Sequence, residues 1–292
     1  MKPPVFAYHR PDTLDEALAT LADAGDEGRA LAGGQSLIPL LNLRMARPDV
    51  VVDLGRLREL DYIRVDNGWL RVGAMTRQRT LELDATAAEH APLLRAATRW
   101  IGHQQIRTRG TVGGSIAHAD PAAELPVAAL ALGAEMVVRG PVGERICPAT
   151  QFFGGFFGTA VEPGEILVEV RFPRLGSRCA FVEVARRHGD FAIAGVGVAM
   201  DLGPDGRISR AGVALAGVGP APLKVAPAEA LLRGEQPSPE LFEAAAQAAA
   251  EAAQPSSDIH GSASFRLHLV RVLTTRALSQ ALAAPAPDLP PV

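Results

Sequence analysis

The hydrophobic and polar positions of the first 55 residues switch between helical and strand spacing. Residues 13–24 begin with Thr13 and Glu16, which have the spacing of a helix capping box, and apolar side chains then recur on one helical face. Apolar runs at 29–32 and 49–54 predict strands, and 38–45 predicts a short helix between them. The first 55 residues therefore predict the order strand, helix, strand, glycine loop, short helix, strand. This is a small α/β unit in which the Gly-Gly loop follows the carboxyl end of a strand.

Residues 60–175 mix the two spacings. Alternating runs over 62–75 flank Asp66-Asn67-Gly68, which predicts a hairpin. The later part of 80–100 has helical spacing, 126–140 predicts a helix that leads into a strand, and 165–173 predicts a strand that ends at a proline.

The last third of the chain has a different pattern. The runs 179–187, 193–202 and 207–218 predict three strands of an antiparallel meander. Helices are predicted over 238–253 and 264–282, with Ser238 and Ser264 as their N-caps.

A change of composition near residues 173–177 indicates a domain boundary. We therefore expect a first domain over 1–176, with subdomains of about 1–57 and 58–176, and a second domain over 177–292. The proline-rich tail 285–292 is expected to be disordered.

Composition excludes several classes of function. The 292 residues are 48% hydrophobic and 21% charged, with a formal net charge of −3 and no basic run, so nothing indicates nucleic acid binding. The two cysteines, Cys147 and Cys179, are too few for a zinc or iron–sulfur site within the chain. With no apolar signal segment and no transmembrane-length apolar stretch, a cytoplasmic protein is expected.

Two similar glycine stretches are the strongest candidates for chemistry. Gly33-Gly34-Gln35-Ser36 and Gly113-Gly114-Ser115 both follow an apolar run. Glycine allows close backbone approach, and successive N–H groups in such turns can form a nest for an anion. Two nests could hold the two phosphates of a dinucleotide, but two ordinary turns explain the residues about as well. The Rossmann and P-loop patterns are absent, so neither of those sites is indicated.

Four longer stretches carry a resemblance to a known family: "LAGGQSLIPLLNLRMARPDVVVDL", "IGHQQIRTRGTVGGSIAHADPAAELP", "RRHGDFAIAGV" and "SSDIHGSASFRLHLVRVL". Together they resemble the FAD-binding medium subunit of the molybdenum hydroxylases, the family of the carbon monoxide dehydrogenase medium chain and the xanthine dehydrogenase FAD-binding subunit. The resemblance runs from about residue 3 to residue 282. It implies an α+β fold: a PCMH-type FAD-binding domain of two α+β subdomains, followed by a small domain with a three-stranded antiparallel sheet and helices.

The resemblance also implies which residues bind non-covalent FAD. Two segments would hold the pyrophosphate, Glu124 would hydrogen-bond to the cofactor, and Phe191 would cover one face of the isoalloxazine. Ile101 would lie against the cofactor, and Leu167 near the adenine or the ring. The full implied set is Ala32, Gly33, Gly34, Gln35, Ser36, Ile101, Thr111, Val112, Gly113, Gly114, Ser115, Ala117, Glu124, Leu167 and Phe191.

The chain departs from the family pattern in two segments. Phe191 stands where many members have tyrosine or tryptophan, so it offers apolar stacking without a polar donor. Val182 and Glu183 stand where many members have a lysine, which puts a cationic contact to the flavin from this segment in doubt.

Several other polar residues have two readings. His118 and Asp120 could act as acid and base, but we favour a structural role in which Asp120 caps a helix that begins at Pro121. His103 could attach FAD covalently, although the family holds its flavin non-covalently. Arg107 and Arg109 could neutralise pyrophosphate, face partner subunits or simply be solvated. Asp258 and His260 are expected to organise the turn before the last helix.

The resemblance implies an electron-transfer subunit without catalytic side chains or metal ligands of its own. A large molybdenum subunit would oxidise the substrate, and a small subunit with two [2Fe–2S] clusters would relay electrons to FAD in this chain. FAD would pass them to NAD, a quinone or oxygen, and the whole complex would be a dimer of heterotrimers. The alternatives are a stand-alone flavin reductase of the same broad fold and a flavin-free structural assembly subunit.

Overall fold

The strands predicted near the N-terminus form a three-stranded parallel sheet in the computed structural model, which describes residues 2–284. The predicted disordered tail 285–292 lies outside the described residues. The strand order is β1-β3-β2. Helix α1 packs on this sheet, and the short helix α2 follows the first glycine stretch. The bounds are β1 Ala7–His9, α1 Leu14–Ala24, β2 Gly28–Leu31, α2 Leu37–Asn42 and β3 Val50–Asp53.

The predicted capping box is half correct. The Thr13 hydroxyl accepts a hydrogen bond from the Glu16 N–H at 3.3 Å, as expected of an N-cap. The Glu16 carboxylate, however, accepts from the N–H of Asp12 at 3.1 Å instead of from Thr13. The returning hydrogen bond of the capping box is therefore made to Asp12, one residue before the N-cap residue Thr13.

A five-stranded antiparallel sheet lies at the centre of the chain, in the order β4-β5-β8-β6-β7. The predicted hairpin is confirmed, because Asp66 pairs with Trp69 across a turn whose two central residues, Asn67 and Gly68, both have positive φ. The strand bounds are β4 Ile63–Asp66, β5 Trp69–Gly73, β6 Glu135–Gly140, β7 Gly143–Pro148 and β8 Ile166–Pro173.

Short helices connect and cover this sheet. Helices already begin at residue 78, before the region predicted to be helical, and Asp84 separates the first two by capping the second through the Ala87 N–H at 2.7 Å. Because this break leaves two helices of only six residues each, neither shows a recognisable helical period in the sequence. The bounds are α3 Gln78–Leu83, α4 Ala85–His90, α5 Pro92–Thr98, α6 Gln104–Arg109, α7 Val112–His118, α8 Glu124–Leu132 and α9 Ala149–Phe152.

The C-terminal sheet has four antiparallel strands in the order β12-β11-β10-β9. The predicted three-strand meander is present, and the fourth strand was missed because it is only two residues long. Three helices cover one face, of which α10 was not predicted. The bounds are β9 Arg178–Val184, β10 Ala194–Leu202, β11 Ile208–Ala216, β12 Leu223–Lys224, α10 Ala226–Leu232, α11 Pro239–Ala252 and α12 Ala263–Ala283.

One of the two N-caps predicted for the long helices is correct and the other is not. Ser238 accepts from the Leu241 N–H at 3.1 Å, so the predicted cap of α11 is confirmed. The predicted cap of α12 is wrong. Ser262 accepts from the Phe265 N–H at 3.1 Å, while Ser264 already lies inside the first turn.

Helix α8 joins the two larger sheets. All of its nine residues are buried, because it packs against the five-stranded sheet on one side and β10 and β11 on the other. The Gly217 N–H donates to the Pro121 carbonyl at 2.8 Å, and the Lys224 ammonium donates to the Leu130 carbonyl at 3.1 Å. The segment just before α8 is therefore held against the C-terminal sheet.

Within residues 2–284 no helix is both long enough and apolar enough to cross a membrane. Cys147 and Cys179 are both free thiols.

Candidate functional site

The fold brings the two glycine stretches together although they are about eighty residues apart in sequence. A Cβ atom built on Gly33 would lie 2.4 Å from the Arg109 carbonyl oxygen and 2.8 Å from Gly110 Cα. A Cβ built on Gly114 would lie 3.5 Å from the Cβ of Ala32. Residues 32–36 therefore lie directly against the segment that leads into α7, and only glycine fits at the closest approach.

The first stretch has the properties of an anion-binding loop. Gly34 has φ of +74°, which turns the chain between the end of β2 and the start of α2. Within residues 2–284 no acceptor pairs with the N–H groups of Gly33, Gly34, Gln35 or Ser36, and the Ser36 hydroxyl makes no capping bond. The Gln35 amide donates to the Gly33 carbonyl at 3.1 Å and fixes the loop. The loop thus presents consecutive free donors.

The second stretch is a helix start, and the nest predicted there is wrong. Gly113 and Gly114 lie in the first turn of α7 and do not have positive φ. Thr111 is the N-cap, and its hydroxyl accepts from the Gly114 N–H at 3.0 Å. The remaining donors are also used, since the N–H groups of Val112, Gly113 and Ser115 donate to the carbonyls of Thr76, Ala74 and Thr111.

The glycines of α7 allow close packing on both sides. A Cβ on Gly113 would lie 2.4 Å from the Ala74 Cβ, just beyond the end of β5. A Cβ on Gly114 would lie 2.6 Å from the Thr111 hydroxyl oxygen and would disrupt the cap. Ser115 and Ala117 lie on the more exposed side of the helix.

One arginine near this site was not found from the sequence. Arg77 donates from its guanidinium to the Arg109 carbonyl, the same backbone group that lies under Gly33. Burial and the neighbouring charge of Arg109 lower the pKa of Arg77. No motif marks Arg77, because its place depends on a β-bridge to Thr111 from a different part of the chain. Together the two guanidinium groups give this end of the site a positive charge.

Arg107 is buried and paired within the chain, so the alternative that it is simply solvated is wrong. Its side chain is buried and forms an ion pair with Glu82 at 2.9 Å. It also donates to the Ile101 carbonyl at 2.9 Å. Arg107 therefore holds the turn at Ile101 against α3.

A loop of the C-terminal domain lies over the turn at residues 101–103. The His188 ring is 5.9 Å from that of His103 and 6.2 Å from that of Trp100. Gly189 has φ of +89°, and a Cβ on it would lie 2.7 Å from His103 Cε1. This contact brings the loop that carries Phe191 to the side of the molecule where Ile101 lies.

Ile101 and Phe191 differ in exposure. Ile101 is 9% exposed, whereas Phe191 is 70% exposed and packs on little of this chain. The loop that carries Phe191 is held through the contacts of His188 and Gly189 with His103, and the exposed Phe191 ring is free to stack on a planar ligand.

Glu124 and Leu167 are both buried. Glu124 begins α8 and is 8% exposed; burial raises its pKa to about 7. Leu167 lies in β8, and its side chain belongs to the hydrophobic core beneath α7. Leu167 is adjacent to Val168, whose carbonyl accepts from the Ala74 N–H at 2.9 Å, so it lies in the layer that supports the glycines of α7.

The remaining polar candidates have structural contacts. Asp120 accepts from the Ala122 N–H at 2.8 Å, but the helix it was predicted to cap begins at Glu124 instead of Pro121. The His118 ring lies 5.0 Å from the Phe157 ring, and burial lowers its pKa. Asp258 accepts from the His260 N–H at 2.8 Å and pairs with Arg266 at 2.7 Å, so its predicted role in the turn before α12 is confirmed.

Across residues 2–284 no group of three or more histidine, cysteine, aspartate or glutamate side chains could hold a metal ion. The candidate site combines a loop of unpaired N–H donors, a capped helix start and an exposed aromatic ring.

Comparison with known proteins identifies the family. The model of the FAD binding domain in molybdopterin dehydrogenase matches residues 4–175, and that of the CO dehydrogenase flavoprotein C-terminal domain matches residues 179–281. The chain is 43% identical over 284 residues to the 6-hydroxypseudooxynicotine dehydrogenase complex subunit alpha of Paenarthrobacter nicotinovorans, which covers 97% of this chain and 96% of that protein.

Two further similarities are to carbon monoxide dehydrogenase. The chain is 36% identical over 285 residues to the medium chain from Hydrogenophaga pseudoflava, covering 97% of this chain and 99% of that one. The solved structure of carbon monoxide dehydrogenase from Hydrogenophaga pseudoflava that lacks the Mo-pyranopterin moiety matches with a TM-score of 0.94 at 38% identity, covering 97% of this chain and 99% of that chain. The chain therefore belongs to the family of FAD-binding medium subunits of the molybdenum hydroxylases and is a subunit of an oxidoreductase.

Proposed function

We propose that this chain is the FAD-binding electron-transfer subunit of a molybdenum-containing hydroxylase or dehydrogenase. The observation that carries the proposal is the coincidence of the FAD-domain family match with a loop of unpaired N–H donors at Gly33–Ser36. When bound, FAD supplies the capacity to accept and release electrons singly or in pairs. The chain's own task is to hold the cofactor and fix its orientation.

The residues of the site fit the pyrophosphate of FAD. Residues 32–36 would donate backbone N–H groups to one phosphate, and the Ser36 hydroxyl adds a donor. Residues 111–115 would form the facing wall, where the absence of side chains on Gly113 and Gly114 lets the cofactor approach, and Ser115 donates its hydroxyl. Arg77 and Arg109 favour the doubly charged diphosphate from behind the loop.

The other proposed contacts would surround the rest of the cofactor. Phe191 would stack on one face of the isoalloxazine, and its 70% exposure supports that role because the ring is not used in the chain's own core. Ile101 would lie against the cofactor from the turn below. Ala117, Glu124 and Leu167 are proposed to complete the site along α7, α8 and β8, with Leu167 acting through the packing of that layer.

The complex would divide the reaction among its chains. A large subunit would carry the molybdenum cofactor, a small subunit would carry two [2Fe–2S] clusters, and the final acceptor would be NAD, a quinone or oxygen. Relatives that are named as a complex subunit and as a medium chain support a complex of several chains. We propose that this complex is a dimer of heterotrimers. The substrate is selected in the large subunit and not by residues of this chain.

We also propose a division of the chain at residue 176, with subdomains of about 1–57 and 58–176 and a second domain over 177–292. The break between the two family matches, at residues 175 and 179, supports it. The two free thiols are typical of a reducing compartment and support a location in the cytoplasm.

The test uses the whole complex, purified through a tag on this chain. We expect one FAD per chain in the wild type. In Gly114→Val the added side chain would displace the Thr111 cap and fill the space beside Ala32, so FAD is lost. The small subunit's clusters should still be reduced by substrate in that variant, while electron delivery to the acceptor stops.

The two alternatives give different results in the same experiment. An assembly subunit would leave the wild-type complex without flavin. A stand-alone flavin reductase would act without the other subunits, and its activity would persist when this chain is purified alone. Acceptor reduction by an FAD-free Gly114→Val complex would contradict the proposed function.

A further inference from the structure

Two buried carboxyl groups, one on α8 and one on β9, lie where both elements pack on β10 beside the proposed cofactor site. A Cβ atom on Gly197 of β10 would lie 3.0 Å from Val127 Cγ1, one turn after Glu124, and a Cβ on Gly195 would lie 3.4 Å from Glu183 Cβ. Glu124 begins α8, and Glu183 lies near the end of β9, paired in register with Gly195 of β10. Each residue is only 8% exposed. The Glu183 Oε2 atom is buried and has no hydrogen-bond partner within residues 2–284.

Other buried glutamates of this chain are paired. Glu169 accepts from Arg71 and Arg171, and Glu229 accepts from the Val213 N–H and from Lys224, each at 3.0 Å. A buried carboxyl group with structural partners is the usual case, and an unpaired one is costly to keep. Glu183 therefore needs a different explanation from Glu169 and Glu229.

The charges around the pair do not neutralise it. The charge that acts on Glu183 is the carboxylate of Glu124, and burial together with this repulsion raises the pKa of Glu183 to about 8. Burial raises the pKa of Glu124 to about 7; Asp120 adds to the rise and Arg107 opposes it. Arg107 is already paired with Glu82 at 2.9 Å.

The elements packed against β9 supply no cation to the pair. Asp201 of β10 accepts from the Ser177 N–H, and Arg266 of α12 pairs with Asp258. The other charged or titratable residues of α5 and α12 are exposed: Arg95, His268, Arg271 and Arg276.

We infer that Glu124 and Glu183 form a proton-binding pair at the contact between the two domains, which holds at least one proton at neutral pH and releases it in mild alkali. This inference rests on the proposed function for its link to FAD. Glu124 follows α7 of the phosphate site, and Glu183 precedes the loop that carries Phe191. Loss of the proton adds negative charge beside an anionic cofactor, so it weakens FAD binding.

The first test follows the carboxyl groups themselves in the full-length chain. The infrared C=O stretch of protonated carboxyl groups is recorded from pH 6 to pH 9.5 in the wild type, in Glu183→Gln and in the control Glu243→Gln, an exposed residue of α11. We expect a protonated band that disappears through mild alkali in the wild type and in the control, and that is missing or altered in Glu183→Gln. A wild-type spectrum with no band titrating above pH 6 would overturn the inference.

The second test measures FAD affinity of the same three proteins over the same pH range. The dissociation constant should rise about tenfold between pH 6.5 and pH 9 in the wild type and the control, corresponding to a coupling of about one pKa unit. In Glu183→Gln the rise should be less than about threefold. Parallel curves for the wild type and Glu183→Gln would overturn the link to FAD.

The two tests separate the two proposals. If the wild type binds no FAD, the proposed function fails, while the infrared titration still decides whether the pair holds a proton. If Glu183→Gln does not fold, the wild-type infrared titration decides the inference by itself.

Discussion

Gly33 and Arg109 are in such close contact that a Cβ atom on Gly33 would lie 2.4 Å from the Arg109 carbonyl oxygen. The same carbonyl accepts a hydrogen bond from Arg77. This contact fixes the distance between residues 32–36 and the start of α7. The two segments can lie this close only because position 33 has no side chain.

Gly33→Ala is therefore expected to separate the two segments. The added methyl group meets backbone atoms that cannot move aside cheaply, so we expect about 1–3 kcal/mol of destabilisation from overpacking. FAD affinity should fall at least tenfold, a loss of about 1.4 kcal/mol. Flavin fluorescence titration and urea unfolding measure the two effects. Gly154→Ala is the matched control, because a Cβ there meets no atom within 4 Å; an equal loss of affinity in both variants would refute the explanation.

Phe191 is expected to serve the cofactor and not the fold. Phe191→Ala should leave the free energy of unfolding of the FAD-free chain within about 0.5 kcal/mol of the wild type, because the side chain is 70% exposed. The loss of one stacking partner should weaken FAD binding by about 0.5–1.5 kcal/mol. Phe156→Ala removes another ring that is 73% exposed and should leave FAD affinity unchanged. A fall in stability without a fall in affinity would assign Phe191 to the fold.

Arg107 is expected to act through the turn at Ile101. Arg107→Leu leaves Glu82 with Arg79 as its remaining ion-pair partner and frees the Ile101 carbonyl. We expect a loss of about 3–5 kcal/mol of stability, the usual range when one partner of a buried pair is removed. Arg109→Ala, which removes an exposed side chain, should cost less than about 0.5 kcal/mol. Thermal unfolding of both variants checks this, and equal losses would contradict the assignment.

The Glu169 network predicts a defined pH dependence of stability. Burial alone would raise the pKa of Glu169, but hydrogen bonds from Arg71, Tyr62 and Arg171 outweigh it and hold the pKa below its ordinary value. A carboxyl group with a lowered pKa stabilises the fold above its ordinary pKa, and that stability is lost as the pH falls through the lowered value.

The matching variant is Glu169→Gln. It should lose about 2–4 kcal/mol at pH 7, and the difference from the wild type should shrink below about pH 4. Glu144→Gln is the control, since the Glu144 carboxylate is exposed and lies 3.9 Å from Arg171. Urea unfolding at several pH values measures both. A difference that stays constant down to pH 3 would contradict the account.

Much of the fold was predictable because its elements have clear periods. The hairpin at Asn67-Gly68 and the meander over β9 to β11 follow from local patterns. Elements were missed where the local signal is short or interrupted, as at β12 and at the helices on either side of Asp84. Helix α8 has no polar face because two sheets cover it. A local sequence pattern cannot predict this burial, since it depends on distant parts of the chain.

The site was only partly predictable for a related reason. Residue types marked both glycine stretches, but whether their N–H groups are free depends on partners elsewhere in the chain. Val112 and Gly113 donate to carbonyls of Thr76 and Ala74, so the second stretch is a wall of the site and not a nest. Arg77 and Glu183 take their roles from long-range contacts, and neither could be found from its sequence neighbours.

We propose that the backbone N–H groups of Gly33 to Ser36 hold FAD. Amide hydrogen exchange of the purified chain, with and without saturating FAD, tests it most directly. We predict that exchange in the peptide covering residues 32–36 is fast without FAD and slows strongly with it, while Val112 and Gly113 are protected in both states because their N–H groups are already bonded. Unchanged fast exchange at residues 32–36 in the FAD-saturated chain would contradict the account.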